Sequence, residues 1–211
     1  LKSMKKKVNV TNNRKLYLLS LIIILFFLLF DQILKIWVKT HFMLGESLPV
    51  FGNWFHLRFI ENEGMAFGIT FGAQIGKVLL SVGRILLTAF LIYYLVRLIR
   101  RNKANIVSIV VFSLIIAGAL GNIIDSLFYG LIFSESTYYS VATLFPPEGG
   151  YAPLLFGKVV DMFDFNLFML PDWLPLFGGT HFFPAIFNVA DSCVTVGVIL
   201  FIIFNKKIIL N

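Results

Sequence analysis

The sequence predicts a membrane α-helical protein with four transmembrane helices, and three observations carry that prediction. Of its 211 residues 58% are hydrophobic and only 14% charged, against about half and about a quarter in soluble domains. Four stretches reach the roughly 20 apolar residues that a helix needs to cross the hydrocarbon core. The lysines and arginines gather at the ends of those stretches, so the net charge of +7 points to membrane topology and not to nucleic acid.

The expected spans are about 16–38, 76–98, 105–127 and 184–204, all helical because backbone exposed to lipid must satisfy its own hydrogen bonds. Together they make a single membrane domain over 1–211. The basic start followed by "LYLLSLIIILFFLL" imitates a secretory signal peptide. No small-residue cleavage site intervenes before "FDQILKIWV", so an uncleaved first span is expected. Most of the 18 Lys and Arg lie in 2–15, in "RLIRRNK" and at Lys206 and Lys207. That distribution predicts cytoplasmic N- and C-termini, with the connections 39–75 and 128–183 outside.

The outer connections carry their own signals. "NWFHLRFI", rich in aromatic and β-branched residues and bounded by Gly and Asn, predicts short strands and a small extracytoplasmic β-rich subdomain. Residues 128–183 are dense in Tyr, Phe, Trp, Pro and Gly, which predicts an outer loop and interfacial helix region. Asp161 is expected on that loop, and Pro184 in the first turn of the fourth helix.

Ionisable groups in spans are expensive, so each one is a candidate functional residue. Asp31 and Lys35 are four apart on the first helix, Asn122 and Asp125 three apart on the third, and Asn188 and Asp191 three apart on the fourth. Each pair shares a helix face, and all fall toward the outer end. Asp161 of "GKVVDMFDF" adds a carboxylate from the outer connection. Structural readings stand beside the functional ones. Asp31 and Lys35 can form an ion pair that ties down a helix end, and Asn122 and Asp125 can join helices, helped by the small residues of "GALG". Asp191 has no Lys or Arg near it on its own helix to serve such a role.

Two carboxylates facing each other cannot both ionise easily. One can then activate a water while the protonated partner polarises a carbonyl, the chemistry of aspartic peptidases. Other chemistries find less support. The single cysteine, Cys193, has no nearby histidine and excludes an intramolecular disulfide. His41, His56 and His181 lack the helical spacing of a zinc protease. No cofactor or metal is expected. A proton-coupled membrane transporter using intramembrane acids is the alternative, yet its path needs polar groups through the bilayer midplane. A non-catalytic assembly factor would not need two facing acids.

Five motifs in order, "FDQILK", "IENEGMAFG", "GNIIDS", "GKVVDM" and "FNVADS", resemble those of lipoprotein signal peptidase (signal peptidase II), the bacterial inner-membrane aspartic peptidase. The resemblance covers nearly the whole chain. It implies an endopeptidase that removes signal peptides from diacylglyceryl-modified prolipoproteins on the N-terminal side of the lipidated cysteine. It assigns catalysis to Asp161 and Asp191. Asn122, Asp125 and Asn188 then support the pair and contact substrate, Asn62 and Gly64 help hold substrate, and Asp31 and Lys35 form the first family motif. It further implies a multi-pass protein of the bacterial cytoplasmic membrane with its site at the outer leaflet, membrane lipids as surroundings and globomycin-type inhibitors as ligands. A monomer is the default expectation.

Three departures accompany the resemblance. Ser126 stands where the family commonly has Arg, and Met65 enlarges the usual "GAAF" to "GMAF". The separation of Asp125 and Asp161 is unusually long, and residues 131–156 are expected to be an inserted lid or substrate-contact flap.

Overall fold

The computed structural model describes residues 2–63, 73–174 and 178–209. Its elements are α1 (Lys2–His41), β1 (Ser47–Phe51), β2 (Phe55–Asn62), α2 (Ala73–Arg100), α3 (Ile106–Ile124), a π-helical turn (Asp125–Tyr129), α4 (Gly130–Ile132), β3 (Val159–Phe165) and α5 (Val189–Ile209). Four helical stretches are long and apolar enough to cross a membrane: Asn13–His41, Ile75–Arg100, Ile106–Ile132 and Val189–Ile208. Each overlaps its expected span. The chain divides into two compact units, one of Leu1–Asp31, Leu79–Ile123 and Val189–Asn211, the other of Gln32–Val78 and Ile124–Asn188.

In the first unit the helices follow from local sequence. No Gly or Pro interrupts residues 2–41, so nothing in the backbone breaks α1. Leu98 and Ile99 carbonyls accept from Lys103 and Asn102 N–H, with Asn102 left-handed at φ 55°, which closes α2 in a Schellman motif. Asn105 then opens α3. Its side-chain oxygen accepts the Ser108 N–H at 2.8 Å while Ser108 Oγ accepts the Asn105 N–H at 2.9 Å, a reciprocal capping arrangement.

Inside this unit Leu16, Ile99, Ile109, Phe112, Ile116 and Ile208 bury against one another. Leu18, Phe26, Leu29 and Phe30 of α1 stay exposed, as apolar residues that face lipid do. Two glycines of α3 let α5 and α1 approach. A Cβ at Gly118 would meet the Ala190 carbonyl, and one at Gly121 would lie 2.6 Å from Asp31 Oδ2. Ser20 and Ser113 hydroxyls bond at 2.9 Å across the same bundle, a polar tie of the kind that helps join helices in lipid.

The second unit is built on an antiparallel sheet of order β1-β2-β3. Ile60 lies opposite Asp161, Glu61 opposite Val160 and Asn62 opposite Val159. Between the pairs Leu57–Phe163 and Ile60–Asp161, β2 carries one more residue than β3. Such a bulge bends a strand and re-aims its side chains. One face of the sheet buries Val160, Met162 and Phe59 against Val38, Phe42, Tyr129 and Phe133.

Two expectations are corrected here. Asp161 lies within strand β3 and not on a loop. "VVDMFDF" is β-branched and aromatic, as strands favour, but its partner β2 lies about a hundred residues upstream, where periodicity gives no sign of it. The fourth helix begins at Val189, not near Pro184. Phe187 is held as a strand residue, donating to the Phe163 carbonyl at 3.2 Å and accepting its N–H at 2.8 Å, so the backbone cannot turn helical before it.

Residues 131–156, expected as a lid, are fastened along their length. Phe145 N–H bonds the Ile132 carbonyl, Ser134 N–H the Thr143 carbonyl, Tyr151 N–H the Phe133 carbonyl and Ala152 N–H the Gly130 carbonyl. At the far end Gly157 donates to Ser126 at 3.0 Å, and a Cβ on Gly157 would collide with the Asp125 carbonyl. Only glycine permits that approach.

Candidate active site

Asp161 sits buried in β3 with both carboxylate oxygens occupied. Asn188 donates from its side-chain amide to Oδ1 at 2.7 Å and to the Val160 carbonyl at 3.2 Å, while Asn62 donates to Oδ2 at 3.2 Å. Asn188 is itself fully buried. The β2 register places Asn62 two residues beyond Ile60, the residue opposite Asp161, so strand alternation puts Asn62 and Asp161 on one face.

Asp125, in the π-helical turn, is a second hub of the same unit. Lys35 Nζ lies 2.7 Å from Oδ2, both side chains fully enclosed. Gln32 donates to Oδ1 at 3.0 Å, and the Val160 N–H reaches Oδ2 at 3.3 Å. Asp125 thereby holds the β3 backbone at the residue before Asp161. Lys35 supplies its cation in a chain that carries Ser126 next in sequence. Tyr129 donates to Gln32 Oε1 at 3.1 Å. Gln32 and Tyr129 were not among the expected site residues. Gln32 lies inside the "FDQILK" motif, and Tyr129 follows Asp125 by four, the only signals that could have marked them.

In the helical unit Asp31 accepts the Ala190 N–H at 2.9 Å. That amide is in the first turn of α5, where N–H groups lack intrahelical partners and favour a negative charge. Asp191, the third residue of α5, accepts from the Asn122 side-chain amide at 2.8 Å. Cys193 is buried, as expected of a structural thiol. Of the expected site residues, Gly64 lies outside the described residues, as does Met65.

Carboxylates held by amide or ammonium groups, on a chain with four membrane-capable helices, mark a membrane protein whose embedded acids serve a function. The family model of signal peptidase (SPase) II matches residues 23–206, and the chain belongs to that family. It is 48% identical over 185 residues to a lipoprotein signal peptidase of Porphyromonas gingivalis, covering 86% of this chain and 80% of that one. A lipoprotein signal peptidase of Amoebophilus asiaticus is 37% identical, with 84% and 72% covered. A bacterial membrane enzyme solved by the in meso method at 1.9 Å resolution superposes with a TM-score of 0.61 at 30% identity, covering 89% of this chain and 92% of that one. Family membership decides against the transporter.

Proposed function

We propose that the protein cleaves the signal peptide from diacylglyceryl-modified prolipoproteins on the N-terminal side of the lipidated cysteine, with Asp161 and Asp191 as its catalytic carboxylates. The observation that carries this reading is the hold on Asp161. Two side-chain amides, Asn62 and Asn188, grip its two oxygens, and both belong to the segments that carry the resemblance to the family. The names of the relatives, lipoprotein signal peptidases, support the substrate.

In this mechanism one of the two acids acts ionised and the other protonated. The ionised member takes a proton from water, and the hydroxide equivalent attacks the scissile carbonyl while the protonated member donates to its oxygen. Collapse of the tetrahedral intermediate returns a proton to the leaving amine. Asn122 orients Asp191, Asp31 anchors the first turn of α5 that bears it, and Lys35 with Asp125 fixes the strand beside Asp161. Asn62 and Gly64 help hold the substrate chain.

We place the enzyme in the bacterial cytoplasmic membrane as one functional domain, with both termini inside and the site at the outer leaflet, where a lipid-anchored substrate arrives by lateral diffusion. Globomycin-type peptides are the expected inhibitors, and the working state is a monomer. Incubating the purified protein in detergent with a diacylglyceryl prolipoprotein should yield cleavage that resists chelators. Asp161→Asn and Asp191→Asn should abolish it with folding retained; cleavage surviving either substitution would remove the paired-carboxylate mechanism.

A further inference from the structure

Lys39 follows Lys35 by one helical turn and is as completely buried, with no exposed surface. A buried ammonium must be paired and hydrogen-bonded to be tolerated. Its Nζ donates to Glu61 of β2 and, at 2.7 Å, to Ser136 Oγ. Three aromatic faces surround it, Tyr151 at 5.0 Å, Phe133 at 5.3 Å and Phe59 at 5.8 Å from ring centroid to nitrogen, a cation–π cage in a desolvated setting.

The cage reaches both strands of the site. Ser136 also donates to Glu61 Oε1 at 3.0 Å, so its hydroxyl takes one hydrogen bond and gives another. Lys158, the residue before β3, lies 3.6 Å from Glu61 Oε2, and its backbone N–H donates to the Tyr151 hydroxyl at 2.7 Å. Glu61 stands opposite Val160 in the sheet. Alternation along the strands therefore puts the Glu61 side chain on the face opposite to Asn62 and Asp161.

We propose that Lys39 and Ser136 are positioning residues for Asp161: the caged ammonium clamps Glu61 from behind the sheet and so sets the reach of Asn62 to the catalytic carboxylate. Residues 133–151 then serve as the fixed wall of that cage, supplying Phe133, Ser136 and Tyr151. This inference rests on the proposed role of Asp161.

Charged groups face this assembly from each element packed against it, Asp125 among them through the Val160 N–H. Glu61 faces Lys39 from α1 and Lys158 from the start of β3, Lys158 also lies 3.9 Å from Glu135, and Asp161 receives Asn62 and Asn188. Loosening the Asn62 hydrogen bond disfavours the ionised form of Asp161. A loss of folded protein scales activity equally at every pH, whereas a misplaced Asn62 shifts the profile.

The test measures kcat and KM from pH 4 to 9 on the full chain in detergent with a diacylglyceryl prolipoprotein, for the wild type, Asp161→Asn, Lys39→Met, Ser136→Ala and Ser136→Thr. Folding is checked by circular dichroism and size exclusion. Ser136→Ala is expected to lower kcat by roughly 3- to 10-fold with KM within twofold, the size of effect that loss of one hydrogen bond gives. It should also move the acid limb of the kcat profile upward by about half a pH unit, and Ser136→Thr should restore both. Lys39→Met should act in the same direction and more strongly; should it fail to fold, Ser136→Ala decides alone. An unshifted profile in a folded Ser136→Ala, or a loss confined to KM, would overturn the inference. A wild type that does not cleave, or an active Asp161→Asn, would bring down the functional reading first, and this inference with it.

Discussion

Asn188 donates its side-chain amide to Asp161 Oδ1 at 2.7 Å, across 27 residues of sequence, from the position immediately before α5. The same amide bonds the Val160 carbonyl, so one side chain fixes both the backbone and the carboxylate of β3. Hydrogen bonds to charged groups are worth about 1.5–3 kcal/mol, or roughly 10- to 100-fold in rate when the bond acts in the transition state. Asn188→Ala is expected to lower kcat/KM for prolipoprotein cleavage by that factor. Unchanged kcat/KM in a folded variant would deny Asn188 this role.

Gly121 and Asp31 form a second close relationship. A methyl group at 121 would sit 2.6 Å from Asp31 Oδ2 and 3.0 Å from Ala190 Cβ. Alanine favours a helix by about 1 kcal/mol over glycine, but overpacking costs about 1–3 kcal/mol, and the displaced group holds the first turn of α5. Gly121→Ala should therefore lower the thermal midpoint in detergent. Asp31→Ala should cost about 1 kcal/mol by loss of the amide acceptor alone.

The Lys35–Asp125 pair is fully enclosed. Removing one partner strands a buried charge, at about 3–5 kcal/mol. Lys35→Met should unfold at markedly lower denaturant concentration than the wild type. Gln32→Leu, which leaves the ion pair in place, should do much less harm. Equal stability of Lys35→Met and wild type would show that Asp125 does not depend on this cation.

Burial pushes the Tyr151 phenol above its usual range, although the Lys158 backbone N–H that it accepts acts in the opposite sense. The folded state thus holds the phenolic proton more tightly than the unfolded chain does. The associated stability is complete below the ordinary tyrosine value of about 10 and declines as pH rises above it. Comparing thermal midpoints between pH 7 and 11, Tyr151→Phe should be the less stable protein at neutral pH, by about 1 kcal/mol for the lost acceptor. Its midpoint should then fall less steeply than that of the wild type above pH 10.

Much of the architecture was legible in the residues. Long runs such as "LYLLSLIIILFFLL" have one compatible state in lipid, and the aromatic "NWFHLRFI" announced strands. The polar residues that matter stood out because Asp31, Asn122, Asp125 and Asp191 interrupt otherwise apolar helices. Strand β3 was missed because "KVVDMFDF" pairs with a segment far upstream. Gln32 and Tyr129 were missed because a glutamine and a tyrosine near a helix end carry little signal until Gln32 is seen between Tyr129 and Asp125. The surroundings of Lys39 were likewise hidden, since the Glu61 and Ser136 that bind it lie far from it in sequence.

What the sequence determined by itself was everything set by local physics: four membrane-capable helices, a β-rich connection and the identity of the acids and amides embedded in them. Tertiary structure alone decided who holds whom. Asn62 reaches Asp161 across 99 residues, Gln32 reaches Asp125 across 93, and Ala190 reaches Asp31 across 159. Periodicity and propensity act over a few residues, whereas each of these partnerships is fixed by strand register, close packing at glycine and the need of a buried charge for a partner.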